Sequence, residues 1–324
     1  MIRPFNQQLI LPMVQVLALP LYWLIGRHLF GLGPIAAACF TAIAPFAMHA
    51  LVVAIGFGIS YRNQHEKRGF RHSKPSDWLL AYLLEAGVSI RQFYWLMPFR
   101  RNFRVPQPVP PLQRTPVILL HGYGCNRGLW LPAARWFSRH GFLVSAINLT
   151  PLHGSIDGYV QAIAGEIARV RQSSGVDRVA LIGHSMGGLA ARAYLRHCAE
   201  TGKDPALALL LTLGTPHQGT HLASIGLGEN AREMRFGAPW LRELSRHECN
   251  PGDSRKPGAD RSADRAAGTA IATIASLQDN IVSRQLEQRL PGARTIMLRR
   301  QGHMSLATSP RVFRVIERLL RRAR

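Results

Sequence analysis

Residues Arg178 to Gly188 read RVALIGHSMGG. Val179 to Ile182 form a continuous apolar run of the kind a fully buried strand requires, and Leu189 to Ala199 (LAARAYLRHCA) carries helical spacing. Between them stands Gly183-His184-Ser185-Met186-Gly187-Gly188, a G-x-S-x-G sequence at a junction of strand, sharp turn and helix. Small residues on both sides of Ser185 let backbone segments crowd together, so the turn can hold the hydroxyl exposed at a strained angle. The helix that follows points its positive end at the same place. The reading is a nucleophilic serine, against a glycine-rich turn with an incidental serine.

The same grammar continues outward. Pro116 to Leu120, Phe142 to Asn148, Ala206 to Gly214, Ala270 to Ser276 and Arg294 to Leu298 read as further short apolar strands. Helical patterns at Leu129 to His140 and Ile156 to Arg171 lie between them. Apolar strands alternating with helices predict an α/β domain, a mostly parallel sheet covered on both faces, with ligands bound beyond the strands' carboxyl ends. A serine hydroxyl needs a base, and the base needs an orienting carboxylate. Asp279, in SLQDNIVS, and His303, in QGHMSL, each follow a strand and come in the order serine, acid, histidine. Asp253, Asp260 and Asp264 lack strand context, Asp204 precedes a strand, and His217 in GTPHQG comes before the acid, as a pocket or structural histidine. Stabilising the oxyanion formed on attack calls for two backbone donors. Met186, directly after the serine, supplies one; Tyr123, in the loop His121-Gly122-Tyr123-Gly124 after the first strand, is the choice for the other. The side chain of Met186 is expected to pack.

HGYG, GHSMGG, GTPHQGT, DNIV and GHMSL, in this order, resemble the alpha/beta-hydrolase superfamily, and within it the bacterial lipases and esterases. The resemblance runs from about Thr115 to Arg324. It implies the alpha/beta-hydrolase fold, Ser185 as nucleophile, Asp279 as acid, His303 as base, oxyanion donors at Tyr123 and Met186, and no cofactor. His121, Gly122, Gly124, Gly183, His184 and Gly187 are the motif residues around these. Residues 220–268 depart from the pattern in being polar and arginine-rich, at the place where family members carry a cap or lid; GENAREMRFGAPWLREL (228–244) looks ordered and the stretch after it mobile.

The remainder of the chain has another character. It holds 324 residues with 40 Lys plus Arg against 18 Asp plus Glu, a formal net charge of +22. That excess is almost all arginine and scattered, without the basic patch and interleaved aromatics of a nucleic-acid binder, so nucleic acid is not an expected partner. Four cysteines cannot form a disulfide scaffold; Cys125, Cys198 and Cys249 leave one bridge open, with free thiols the expectation, and their spacing gives no metal site. Leu9 to Ile25 is apolar apart from Gln15, and Leu29 to Tyr61 has no formally charged side chain. A bilayer core needs about 20 helical residues, so residues 1–61 read as a two-helix transmembrane hairpin, against a signal peptide or buried core helices. The basic residues flanking it place both ends in the cytoplasm by the positive-inside bias. Residues 62–114 join the two parts: an amphipathic stretch from Trp78 to Phe99, lying on the membrane or packed on the next domain, then a linker with Pro106, Pro108, Pro110 and Pro111. The sequence therefore predicts a multi-pass protein of a bacterial inner membrane, its catalytic domain (115–324) cleaving esters or lipids, with protein partners unread. An acyltransferase or thioesterase using the same triad, or a scaffold on a hydrolase fold, stand as alternatives.

Overall fold

The computed structural model describes residues 7–65, 73–109, 112, 114–249, 268–283 and 288–323. The N-terminal part contains α1 (Ile10–Leu17), α2 (Leu19–Leu24), α3 (Pro34–His65), α4 (Pro75–Arg91) and the short α5 (Met97–Phe99). A sheet follows, whose described strands are β1 (Val117–Leu120), β2 (Val144–Ile147), β3 (Val179–His184), β4 (Leu207–Leu213), β5 (Ala270–Ser276) and β6 (Arg294–Leu298). Their order is β2-β1-β3-β4-β5-β6 and every pairing is parallel. Each apolar run read from the sequence is one of these strands. β1 and β3 are buried along their whole length, which is why they carry no polar alternation.

Alternate strand residues serve opposite faces. Leu119, Ile182 and Leu211 meet Phe137 of α6 (Leu131–Arg139) and Phe313 of α11 (Pro310–Leu320). Ile118, Leu181 and Leu210 meet Ile163 and Ile167 of α7 (Val160–Ser174) and Leu189 of α8 (Met186–Glu200). Two smaller helices, α9 (Glu229–Glu233) and α10 (Pro239–Cys249), occupy the expected cap region. Of that region, residues 250–267 lie outside the described residues, as does the Cys249 side chain; Cys125 and Cys198 are free thiols. The chain leaves β1 for β2 on one side and returns to β3 on the other. Their carboxyl ends therefore border the crevice where the winding reverses, the usual ligand site of such sheets.

The N-terminal helices are not core helices. Gln7–Leu29 and Pro34–Asn63 are long and apolar enough to cross a membrane, and only 6% and 17% of their most apolar stretches are buried. The first run is not one continuous helix. α1 ends at Leu17 and α2 starts at Leu19 with Pro20 in its first turn, where a missing N–H costs nothing. Gly26 lets the two arms approach: a Cβ there would lie 3.2 Å from Phe40 and 3.4 Å from Ala37. α4 faces two ways. Trp78 and Ala81 pack on Val53 and Phe57 of α3, while Leu79, Leu80, Leu83 and Leu84 point outward. The proline-containing segment after α5 lies on the sheet domain. Gln107 accepts from the Val144 N–H at 2.9 Å and donates to its carbonyl at 3.1 Å, so one side chain blunts the open edge of β2. Pro110 and Pro111 lie outside the described residues.

Where β3 meets α8 the packing leaves no room for a methyl group. A Cβ on Gly188 would overlap the Thr215 Oγ1 and come within 3.0 Å of its Cβ and Cγ2. Gly188→Ala should therefore cost about 1–3 kcal/mol by overpacking, read as a Tm lowered by several degrees in a thermal melt. Adding Thr215→Ala should recover part of the loss. An unchanged Tm in the single variant would show that the junction is looser than described.

Candidate active site

β3 ends at His184 and α8 begins at Met186, so Ser185 alone makes the turn, with φ 55° and ψ −125°. A non-glycine residue with positive φ is strained and persists only where its surroundings over-determine it. Here they do. Cβ atoms on Gly183 or Gly187 would collide with the backbone of Gly187 and Gly188, and of Leu120, respectively. The Ser185 N–H donates to the Leu213 carbonyl at 2.8 Å, and the Ser185 carbonyl accepts from Gly188 N–H at 2.9 Å and Thr215 Oγ1 at 3.0 Å. From the β1 side, a Cβ on Gly122 would sit 3.0 Å from that of Ser185. The serine is 7% exposed, close to the surface yet shielded from bulk water.

Asp279 is fully buried in the loop after β5. Its Oδ1 accepts from the N–H groups of Ile281 (2.9 Å) and Val282 (2.8 Å), and its two oxygens lie 3.1 and 2.9 Å from His303 Nδ1. A carboxylate accepts only, so Nδ1 carries the proton and Nε2 keeps its lone pair. Burial pulls the His303 pKa down, but the charge and hydrogen bond of Asp279, helped by the Glu85 charge, outweigh it and leave it raised. Gly214, φ 55°, joins the two halves of the site. It follows Leu213, which binds the Ser185 N–H, and its missing Cβ would lie 3.0 Å from Asp279 Oδ2 and 3.3 Å from His303 Nδ1. The ring of His184, next to Ser185, packs 4.6 Å from that of His303, and its Nε2–H donates to the His303 carbonyl at 3.0 Å. Ser185, Asp279 and His303 follow β3, β5 and β6, and the end of β4 at Leu213–Gly214 touches the Ser185 amide on one side and the Asp279–His303 pair on the other.

The two motif histidines are structural and uncharged. His121 donates through Nδ1 to the Gly122 carbonyl and accepts the Leu149 N–H, and burial pushes its pKa down to about 4. Burial holds the His184 pKa well below its ordinary value. His217 is structural too: it bridges Thr212 (3.1 Å) and Thr273 (3.3 Å) and meets Arg192 at 3.2 Å. The Tyr123 loop turns through Gly124, φ +67°, and borders the serine turn through Gly122. Met186 opens α8, where the first N–H groups have no partner inside the helix. Its side chain is buried and its sulfur accepts from Asn230 at 3.4 Å. The Tyr123 hydroxyl reaches into the cap, donating to the Leu227 carbonyl and accepting its N–H, both at 2.8 Å. Among the described residues no three His, Cys, Asp or Glu side chains are grouped to hold a metal ion.

The sequence reading missed the groups that hold the histidine loop. Asn280 accepts the His303 N–H at 3.0 Å, and Glu85 of α4 accepts the N–H groups of Met304 and Ser305. Glu85 did leave a signal, since it is the only carboxylate between Trp78 and Phe99.

Comparison with known proteins bears on the fold. Residues 115–255 match the family model described as the alpha/beta hydrolase fold. A triacylglycerol lipase of Pseudarthrobacter phenanthrenivorans is 31% identical over 118 residues, covering 34% of this chain and 35% of that protein. A triacylglycerol lipase of Burkholderia plantarii matches at the same identity, covering 34% and 32%. The chain spans about a third of the length of these curated relatives. Among solved structures, mature lipase BlEst2 of Bacillus licheniformis aligns with a TM-score of 0.53 at 19% identity, covering 67% of this chain and 96% of that one. The chain carries the alpha/beta-hydrolase fold, and over 118 residues its sequence is similar to triacylglycerol lipases.

Proposed function

We propose that the protein is a membrane-anchored serine hydrolase that cleaves carboxylic esters presented at a bilayer. The observation that carries the reading is the strained Ser185 turn beside a buried Asp279–His303 pair at 2.9 Å. His303 Nε2 takes the proton of the Ser185 hydroxyl as its oxygen attacks the acyl carbon. The oxyanion forms between the N–H groups of Tyr123 and Met186. As the intermediate collapses, the imidazolium returns its proton to the leaving alkoxide, and an acyl-enzyme remains. Water, deprotonated by the same nitrogen, releases the acid and restores the serine. Asp279 holds the tautomer and steadies the transient imidazolium.

The lipid preference rests on the likeness to triacylglycerol lipases and on two exposed apolar arms. Residues 1–61 form the anchor, 62–114 the juxtamembrane segment and 115–324 the catalytic domain with its cap (220–268). Both arms of the hairpin reach the active-site loops: Gln8 at the start of the first arm donates to the Cys125 carbonyl at 3.2 Å, and Ser60 near the end of the second donates to the Asp279 carbonyl at 2.6 Å. In this reading both ends share one side of the membrane with the catalytic domain, and the basic flanks favour the cytoplasm as that side. Leu79, Leu83, Trp95 and Phe99 face outward beside the anchor, where they would enter the interface.

Purified protein should hydrolyse emulsified long-chain acyl esters, and Ser185→Ala should lose on the order of 10⁴-fold or more in kcat/KM. Activity confined to short soluble esters would remove the lipid part; activity that survives Ser185→Ala would remove the mechanism. A second test uses pH. The base works only when neutral, so kcat/KM should rise as His303 Nε2 loses its proton, with a midpoint above the ordinary value of 6.5 because the Asp279 carboxylate stabilises the imidazolium. Asp279→Asn should lower turnover by about 10³–10⁴-fold and move the midpoint to lower pH. A midpoint unmoved by this substitution would contradict the assignment of Asp279.

A further inference from the structure

Three loops of the site, those of Tyr123, Asp279 and His303, are each held by a different N-terminal helical element, outside the part of the chain that matches the hydrolase family. The turn that precedes α1 reaches the oxyanion loop, where Gln8 also accepts from Asn126 at 3.1 Å. The last turns of α3 hold the acid loop through Ser60, and Gly56 brings the helix close: a Cβ there would lie 3.2 Å from the Asn280 carbonyl. α4 holds the histidine turn. Glu85 is 1% exposed; its Oε1 accepts from Met304 N–H at 2.6 Å and its Oε2 from Ser305 N–H at 2.9 Å. These are the two residues immediately after His303, and they open the helical turn Met304–Ala307. Gly302 makes room for the contact, since a Cβ at that position would lie 2.5 Å from the Glu85 carboxyl.

We propose that Glu85 is a positioning residue for the reaction: with Asp279 on the ring side and Glu85 on the backbone side, two carboxylates bracket His303 and fix where its imidazole stands. The inference rests on the serine-hydrolase reading of the site. An uncompensated buried carboxylate in an apolar helix is costly, and nothing in the packing of α4 on α3 requires one. Its two oxygens meet two N–H groups of the histidine turn, so the position of one determines the position of the other. Burial pushes the Glu85 pKa up to about 7, opposed by those two N–H donors and by the charge of His303. The other groups around the pair are accounted for. Asp279 faces both, neutral His184 lies against the His303 ring with His121 near it, Asp77 of α4 is paired with Arg300 at 2.6 Å, and His49 of α3 is bonded to Ser89 at 2.8 Å. Where it is ionised, Glu85 is a second negative charge beside the base, after Asp279.

Labelling of Ser185 by a fluorophosphonate reads the base directly and needs no knowledge of the natural ester. The full chain in detergent is treated with the probe across pH 5 to 9, and the second-order labelling rate is followed. Glu85→Gln keeps the size but removes the charge and sets an NH2 group against one of the two N–H donors. Its plateau rate should fall about tenfold, and the acid limb should move to lower pH, because the imidazolium has lost a stabilising charge. A variant with plateau and limb both as in the unaltered protein overturns the proposal, and so does a slower variant whose limb has not moved. Should the amide variant not fold, Glu85→Asp serves. It keeps the charge but cannot reach both N–H groups, and should lower the plateau while leaving the limb in place; an unchanged plateau overturns the proposal. Failure of the unaltered protein to label would count against the hydrolase reading itself, a result distinct from each of these.

Discussion

The site depends on the absence of three side-chain carbons. Gly183 and Gly187 allow the end of β3, the start of α8 and the end of β1 to pack within backbone contact, Gly188 admits the Thr215 side chain, and Ser185 is held at positive φ between them. A serine in an ordinary turn would relax into a hydrogen bond with its own backbone and offer little. It is held at φ 55°, with its amide and carbonyl already committed to Leu213, Gly188 and Thr215, at the strand end where the sheet's winding reverses. The same crowding recurs at Gly214, which brings the Asp279–His303 pair against the neighbouring strand end.

The helices before the sheet enter this arrangement as part of it. An anchor that only tethered a catalytic domain would connect through a free linker. Here Gln8, Ser60 and Glu85 each reach a different active-site loop, and Gln107 straps the connecting segment to the edge of β2. If the apolar arms sit in a bilayer, the loops that carry the chemistry sit at its surface, and any shift of the arms is felt at the histidine and the acid.

Much of this was legible in the sequence because the responsible forces are local or periodic. Strands buried on both faces must be continuously apolar, so all six described strands stood out, and Asp279 and His303 could be chosen because they follow strands. His217 was separable from the base by chain order alone, and the structure shows why it is there: it satisfies two buried threonine hydroxyls. Contacts over long sequence distances left weaker traces. No pattern in the chain links Ser60 to Asp279 or Gln107 to Val144. The break between α1 and α2 lay hidden in an apolar run that looked uniform. Glu85 is the instructive omission, since a carboxylate buried in the apolar stretch of α4 must find partners, and its partners proved to be the turn after His303.

The account stands on the reactivity of one hydroxyl, which mass spectrometry after fluorophosphonate treatment reads most directly. Folded protein should gain a single adduct on the peptide that holds Ser185, and heat-unfolded protein should gain none. An adduct on another serine, such as Ser283 or Ser305, or folded protein with no adduct, would contradict it.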